Sequence, residues 1–139
     1  MLICEMAADY KSSGKTLYDG LLDIYEKYGY TQNGLISVTL KDMDGAIRIK
    51  EIMERLRHNT PNEIADYRVE KVTDYLNENT GLPKSNVLKF TLDKGWFAVR
   101  PSGTEPKIKF YYEIETKQGE SVDKKMNEFL NGYLNVKDV

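Results

Sequence analysis

Leu88-Lys89-Phe90-Thr91-Leu92-Asp93-Lys94-Gly95-Trp96-Phe97-Ala98-Val99 decides the fold. Leu88, Phe90 and Leu92 alternate with Lys89 and Thr91, the period of a strand that buries one face. Asp93-Lys94-Gly95 has hairpin-turn chemistry, so Trp96 to Val99 runs back antiparallel. Toward the C-terminus, Ile108, Phe110, Tyr112 and Ile114 repeat the alternation as a further strand. Val122, Met126, Phe129, Leu130 and Tyr133 then fall at i, i+4, i+7, i+8 and i+11, an amphipathic helix. Toward the N-terminus, Asn77 to Lys84 is loop. In Ile64 to Tyr75 the alternation slips between Val69 and Val72, which predicts a bulge or a break between two short strands. Ile36, Val38 and Leu40 alternate as an earlier strand. Asp44 is expected to cap the helix that follows, whose Ile49, Ile52, Met53 and Leu56 point inward while Arg48, Glu51, Glu54, Arg55 and Arg57 form a solvated face. His58 falls at that helix's end, beside the negative pole of its dipole. The order β-α-β(n)-α with short hairpins predicts an α+β fold, an antiparallel sheet with its helices gathered on one face.

Two helices precede this domain. Leu2, Ile3, Met6, Ala7 and Tyr10 share one helical face that ends at Ser12-Ser13-Gly14. Thr16 with Asp19 makes a capping-box start for Leu17, Leu21, Ile24, Tyr25 and Tyr28, and Gly29 closes that helix. Tyr30-Thr31-Gln32-Asn33-Gly34 reads as a linker. The expected organisation is a helical segment over 1–30 and a sheet domain over 34–139. An apolar helix pair with no sheet of its own packs on the remainder, pairs with another copy, or frays.

Composition narrows the function classes. The chain has 139 residues, 30% charged and 40% hydrophobic, with a net charge of -2, the balance of an ordinary globular protein. Near-neutrality argues against nucleic acid as a partner, since a phosphate backbone calls for a basic face. No run approaches the ~20 apolar residues of a membrane span, and no signal peptide is evident. One cysteine, Cys4, forms neither an internal disulfide nor a metal cluster and suits a reducing cytoplasm. It reads as a small buried apolar residue.

The chemistry concentrates in Arg100-Pro101-Ser102-Gly103-Thr104-Glu105-Pro106-Lys107, a polar loop between two strands. Arg100 offers a planar charged fork that suits phosphate oxygens, and Lys107 a second, point-like charge. Ser102 and Thr104 supply hydroxyls. Gly103 has no Cβ to hold a ligand away from the backbone amides, and the two prolines restrain the turn. A strand pattern resumes at Lys107, which excludes a Walker-type loop opening a helix. The competing reading is an ordinary turn with surface charges. Glu105, a carboxylate beside an anion site, is expected to bond loop amides rather than act as a base. Tyr111 and Tyr112 are at home on a strand.

In order and strand context, this octapeptide resembles the phosphate-binding loop in the last domain of the α-D-phosphohexomutases, the phosphoglucomutase and phosphomannomutase family. Gly95 to Val99 leading in, Lys107 to Tyr112 leading out, and the helical stretches Gly14 to Asp19 and Ile24 to Gly29, similar to the end of the family's third domain, extend the likeness over nearly the whole chain. The resemblance implies a last domain often likened to the TATA-binding-protein fold. It implies substrate phosphate binding by Arg100, Ser102, Gly103, Thr104 and Lys107, with a phosphosugar and the preceding domains of the same enzyme as partners. For the parent enzyme it implies Mg²⁺ and a hexose 1,6-bisphosphate intermediate. The family's phosphoserine, sugar-reading and metal loops have no counterpart here: Asp42-Met43-Asp44-Gly45 lacks the third carboxylate and the arginine of an Asp-x-Asp-x-Asp-Arg metal loop. The chain is therefore expected to bind without catalysing and to hold no metal. The alternative is a stand-alone phospholigand-binding or protein-interaction module.

Overall fold

The computed structural model describes residues 1–40, 44–117, 120–133 and 135. In chain order the elements are α1 (Leu2–Ser12), α2 (Leu17–Tyr28), β1 (Tyr30–Thr39), α3 (Gly45–His58), β2 (Glu63–Ile64), β3 (Tyr67–Asp74), β4 (Leu88–Leu92), β5 (Gly95–Pro101), β6 (Lys107–Thr116) and α4 (Val122–Tyr133). The strands form one sheet in the order β1-β6-β5-β4-β3-β2, antiparallel throughout. The β3–β4 register shifts between Val69 and Lys71, where the sequence loses its alternation.

Period-2 alternation sends Leu88, Phe90, Phe97, Val99, Ile108, Phe110 and Ile114 to one face. There they share a single core with Ile52, Met53 and Leu56 of α3 and Val122, Met126 and Leu130 of α4. Phe97 is at its centre, its ring 5.9 Å from Phe90, 6.0 Å from Phe110 and 6.2 Å from Phe129. Burying a side chain of this size contributes roughly 1.5–3 kcal/mol. Both helices of the α+β domain therefore cover the same side of the sheet.

The Tyr30–Gly34 linker expectation fails. These residues form the first half of β1, pairing from Tyr30 with Thr116 through Gly34 with Tyr112. Gly34 is there for space, since a Cβ would fall 2.2 Å from the Tyr112 hydroxyl. That hydroxyl donates to Asp123, and burial followed by the Asp123 carboxylate pushes its pKa well above the usual tyrosine value. The Gln32 amide donates to Asp123 at 3.0 Å and accepts from the Val122 N–H at 3.3 Å, so β1 holds the start of α4.

The N-terminal helices form as their sequence signals require. Thr16 and Asp19 complete the capping box, and α2 ends at Gly29 with φ at 92°. The Tyr10 ring lies against Gly20, and Lys15 pairs with Asp23 at 2.6 Å. Neither helix adds a residue to the core, and Leu2, Ile3, Met6, Tyr18, Leu21, Ile24 and Tyr28 are exposed. Cys4 is exposed too, contrary to the expectation of burial, because α1 buries none of its residues. Asp44 occupies the N-cap position of α3 but makes no side-chain cap hydrogen bond. Asp42 and Met43, the rest of the stretch compared with a metal loop, lie outside the described residues.

Candidate functional site

The loop joining β5 to β6 is closed by its own backbone. The Ser102 N–H donates to the Lys107 carbonyl at 2.7 Å, the Lys107 N–H to the Glu105 carbonyl at 2.7 Å, and the Leu40 N–H to the Pro106 carbonyl at 2.9 Å. Ser102 thus contributes its hydroxyl, not its amide, to any ligand. The Thr104 N–H reaches the Ser102 hydroxyl only at 3.5 Å, and the Gly103 and Glu105 N–H groups take no hydrogen bond among the described residues. Free amides in succession at a turn form an anion-binding concavity.

Strand register decides where the cations go. Arg100 lies directly across from Lys109, and directly paired residues share a face. Lys107, two positions earlier on β6, shares it as well, whereas Val99, Ile108 and Phe110 are fully buried on the opposite face. Three positive charges therefore gather on the open face of the sheet at the loop's base. Arg100 and Lys109 have no ion-pair partner among the described residues. Lys107 is partly neutralised by the Glu105 carboxylate, 3.0 Å away. Glu105 serves that pair instead of the loop amides, an ammonium being the stronger partner for its carboxylate. Lys109 was not singled out from the sequence, although it shares the strand parity of Lys107, the one signal that pointed to it.

Ser102, Gly103 and Thr104 line the other side of the hairpin, where a cleft of about 750 Å³ separates the loop from α3. Ile49, Met53 and Leu76 give it apolar walls, and Lys50, Glu54, Arg57 and Asn86 a polar rim. Arg57 is fully engaged: its Nε donates to Asp74 at 2.8 Å, Nη1 to Glu54 at 2.6 Å and Nη2 to Asn86 at 3.0 Å. His58 faces the other Glu54 oxygen at 3.2 Å, at the exposed end of α3. Among the described residues, no three His, Cys, Asp or Glu side chains stand together as a metal ion requires.

Asp74, the acid that engages Arg57 Nε, is itself buried. Burial pushes its pKa up, but Arg57, the Leu76 N–H and the Asn77 amide outweigh that and hold it below the usual value. A depressed folded-state pKa stabilises above the unfolded value, and the gain is lost as pH falls through the folded one. Thermal melts should therefore show the parent chain losing stability below about pH 4, and Asp74→Asn, already destabilised at neutral pH, should show a shallower acid slope. Parallel slopes would remove Asp74 as the source.

The family model described as "Phosphoglucomutase/phosphomannomutase, C-terminal domain" matches residues 39–128, which include the whole loop. Phosphoglucomutases of Staphylococcus aureus strains bovine RF122 / ET3-1 and MSSA476 are each 37% identical over 140 residues, covering 93% of this chain and 25% of the relative. The chain thus spans a quarter of the length of these relatives. Its fold is similar to part of the open-form crystal structure of pp63/parafusin, a phosphoglucomutase and exocytosis-sensitive phosphoprotein from Paramecium. That likeness has a TM-score of 0.54 at 14% identity over 88% of this chain and 23% of the other.

Proposed function

We propose that this chain, which belongs to the phosphoglucomutase/phosphomannomutase C-terminal domain family, grips the nonreacting phosphate of a phosphosugar during intramolecular phosphoryl transfer by a longer phosphohexomutase. Arg100 and Lys107, joined by Lys109, supply positive charge. Ser102 and Thr104 supply hydroxyls, and Gly103 and its neighbours supply amides. The observation that carries this reading is the direct opposition of Arg100 and Lys109 beside the loop without an acid to neutralise either. Like charges facing each other across a sheet are destabilising, and an oxyanion bound between them turns that cost into attraction. Gly103 adds support: a Cβ there would meet nothing within 4 Å, so the fold itself makes no steric demand for glycine. A phosphate approaching the amides would.

In this reading the parent is an isomerase of carbohydrate metabolism, cytoplasmic, and the chain alone binds without catalysing. Mg²⁺ and the hexose 1,6-bisphosphate intermediate belong with the preceding domains, whose last helices lie within residues 1–30, while 34–139 form the anchoring domain, with β1 beginning four residues earlier at Tyr30. Closure of this domain on the substrate would exclude water from the chemistry. No helix among the described residues is long and apolar enough to cross a membrane.

Charge-assisted hydrogen bonds contribute ~1.5–3 kcal/mol each, but immobilising a free ligand costs several. The isolated chain should therefore bind glucose 1-phosphate with a Kd of roughly a millimolar. In a ¹⁵N-resolved NMR titration the Gly103 and Thr104 amides should shift together along one isotherm. A spectrum that stays still at tens of millimolar ligand would end the proposal for this chain.

A further inference from the structure

The loop presents two sides, and its cations and hydroxyls are divided between them. Arg100, Lys107 and Lys109 lie on the open face of the sheet, whereas Ser102, Gly103 and Thr104 look into the cleft against α3. An anion held by the hydroxyls gains further from a positive charge on that second side. Of the two cations on the cleft's rim, Arg57 is committed to Asp74, Glu54 and Asn86. Lys50 is exposed and has no hydrogen bond or ion pair among the described residues. The acids there are already occupied, Glu54 by Arg57 and Glu105 by Lys107. Lys50 is therefore the uncompensated charge facing the hydroxyl side of the loop.

We propose that Lys50, on the third helix, is a ligand-binding residue for the phosphomonoester, closing on its anionic head from the cleft side while Arg100 holds it from the sheet side. This inference rests on the phosphate-anchoring role of the loop. It extends the site to a helix outside the loop, and it places the organic body of the ester over the apolar wall formed by Ile49, Met53 and Leu76. A flexible ammonium suits this position because it reaches the rim of an open cleft without needing a fixed fork geometry.

The test compares Lys50→Ala, Lys50→Arg and Arg100→Ala in NMR titrations with glucose 1-phosphate. Lys50→Ala should weaken binding about tenfold, as expected for loss of one charge-assisted contact. Lys50→Arg should restore most of the affinity, which a merely structural lysine would not require. Lys50→Ala binding as tightly as the parent chain, with Arg100→Ala binding lost, overturns the role of Lys50 and leaves the loop's role standing. No binding by the parent chain itself overturns both.

Discussion

Arg100→Ala should lower affinity for glucose 1-phosphate by about a hundredfold or more while leaving the domain folded and no less stable. The two effects have separate physical origins. A guanidinium forms two parallel charge-assisted bonds to an oxyanion. At ~1.5–3 kcal/mol each, losing both amounts to at least ~3 kcal/mol, and every 1.4 kcal/mol is a factor of ten. Binding that begins near a millimolar would then disappear from a titration. Stability should respond differently, because Arg100 is exposed and faces Lys109 with no acid between them. Deleting it relieves repulsion between like charges, so the melting temperature should hold steady or rise by a degree or two. A residue placed for structure would show the reverse pattern, loss of stability with binding reduced only in proportion to unfolding. That reverse pattern, in melts and titrations on the same samples, would remove Arg100 from the site.

Much of this site was legible because its parts are local. The octapeptide is contiguous, the hairpin before it has a two-residue turn, and alternation in Ile108, Phe110, Tyr112 and Ile114 fixes which β6 residues are buried. Helices were equally plain, since capping-box residues three apart and apolar residues at helical spacing act within one turn. What was missed depends on partners distant in sequence. Tyr30 to Gly34 has no sustained apolar alternation, and it becomes a strand only because β6, about eighty residues later, offers it a pairing edge and Tyr112 needs the space over Gly34. Register between β5 and β6 set Lys109 opposite Arg100, and the packing of α3 divided the loop's donors between two faces. Cys4 was misplaced for a related reason: amphipathic spacing shows that a helix has an apolar side but not what covers it. On α1 that side is exposed. Long-range packing, not local preference, made each of these decisions.

Gly95→Ala should be strongly destabilising, lowering the melting temperature by more than about 10 °C. Gly95 opens β5, pairs with Leu92 on one side and Ile114 on the other, and has φ at 150°. Its added Cβ would fall 1.9 Å from the Glu113 carbonyl oxygen and 3.0 Å from the Ile114 Cα. Both are backbone atoms of β6, so no side-chain rotation relieves the clash. The strands must separate, and the register that sets Arg100 across from Lys109 goes with them. A cost of roughly 4 kcal/mol is a large fraction of the ~5–15 kcal/mol that holds a domain together. At several degrees per kcal/mol for a chain of this size, the shift exceeds ten degrees. Gly103→Ala is the matched control, since the same methyl group there meets nothing within 4 Å. Its melting temperature should stay within about 2 °C of the parent, while affinity for glucose 1-phosphate should fall, since in the proposed site the methyl group stands where the phosphate approaches the amides. Equal melting temperatures for the two variants would mean that β5 and β6 are not paired in this register. The placement of all three cations on one face would then be lost.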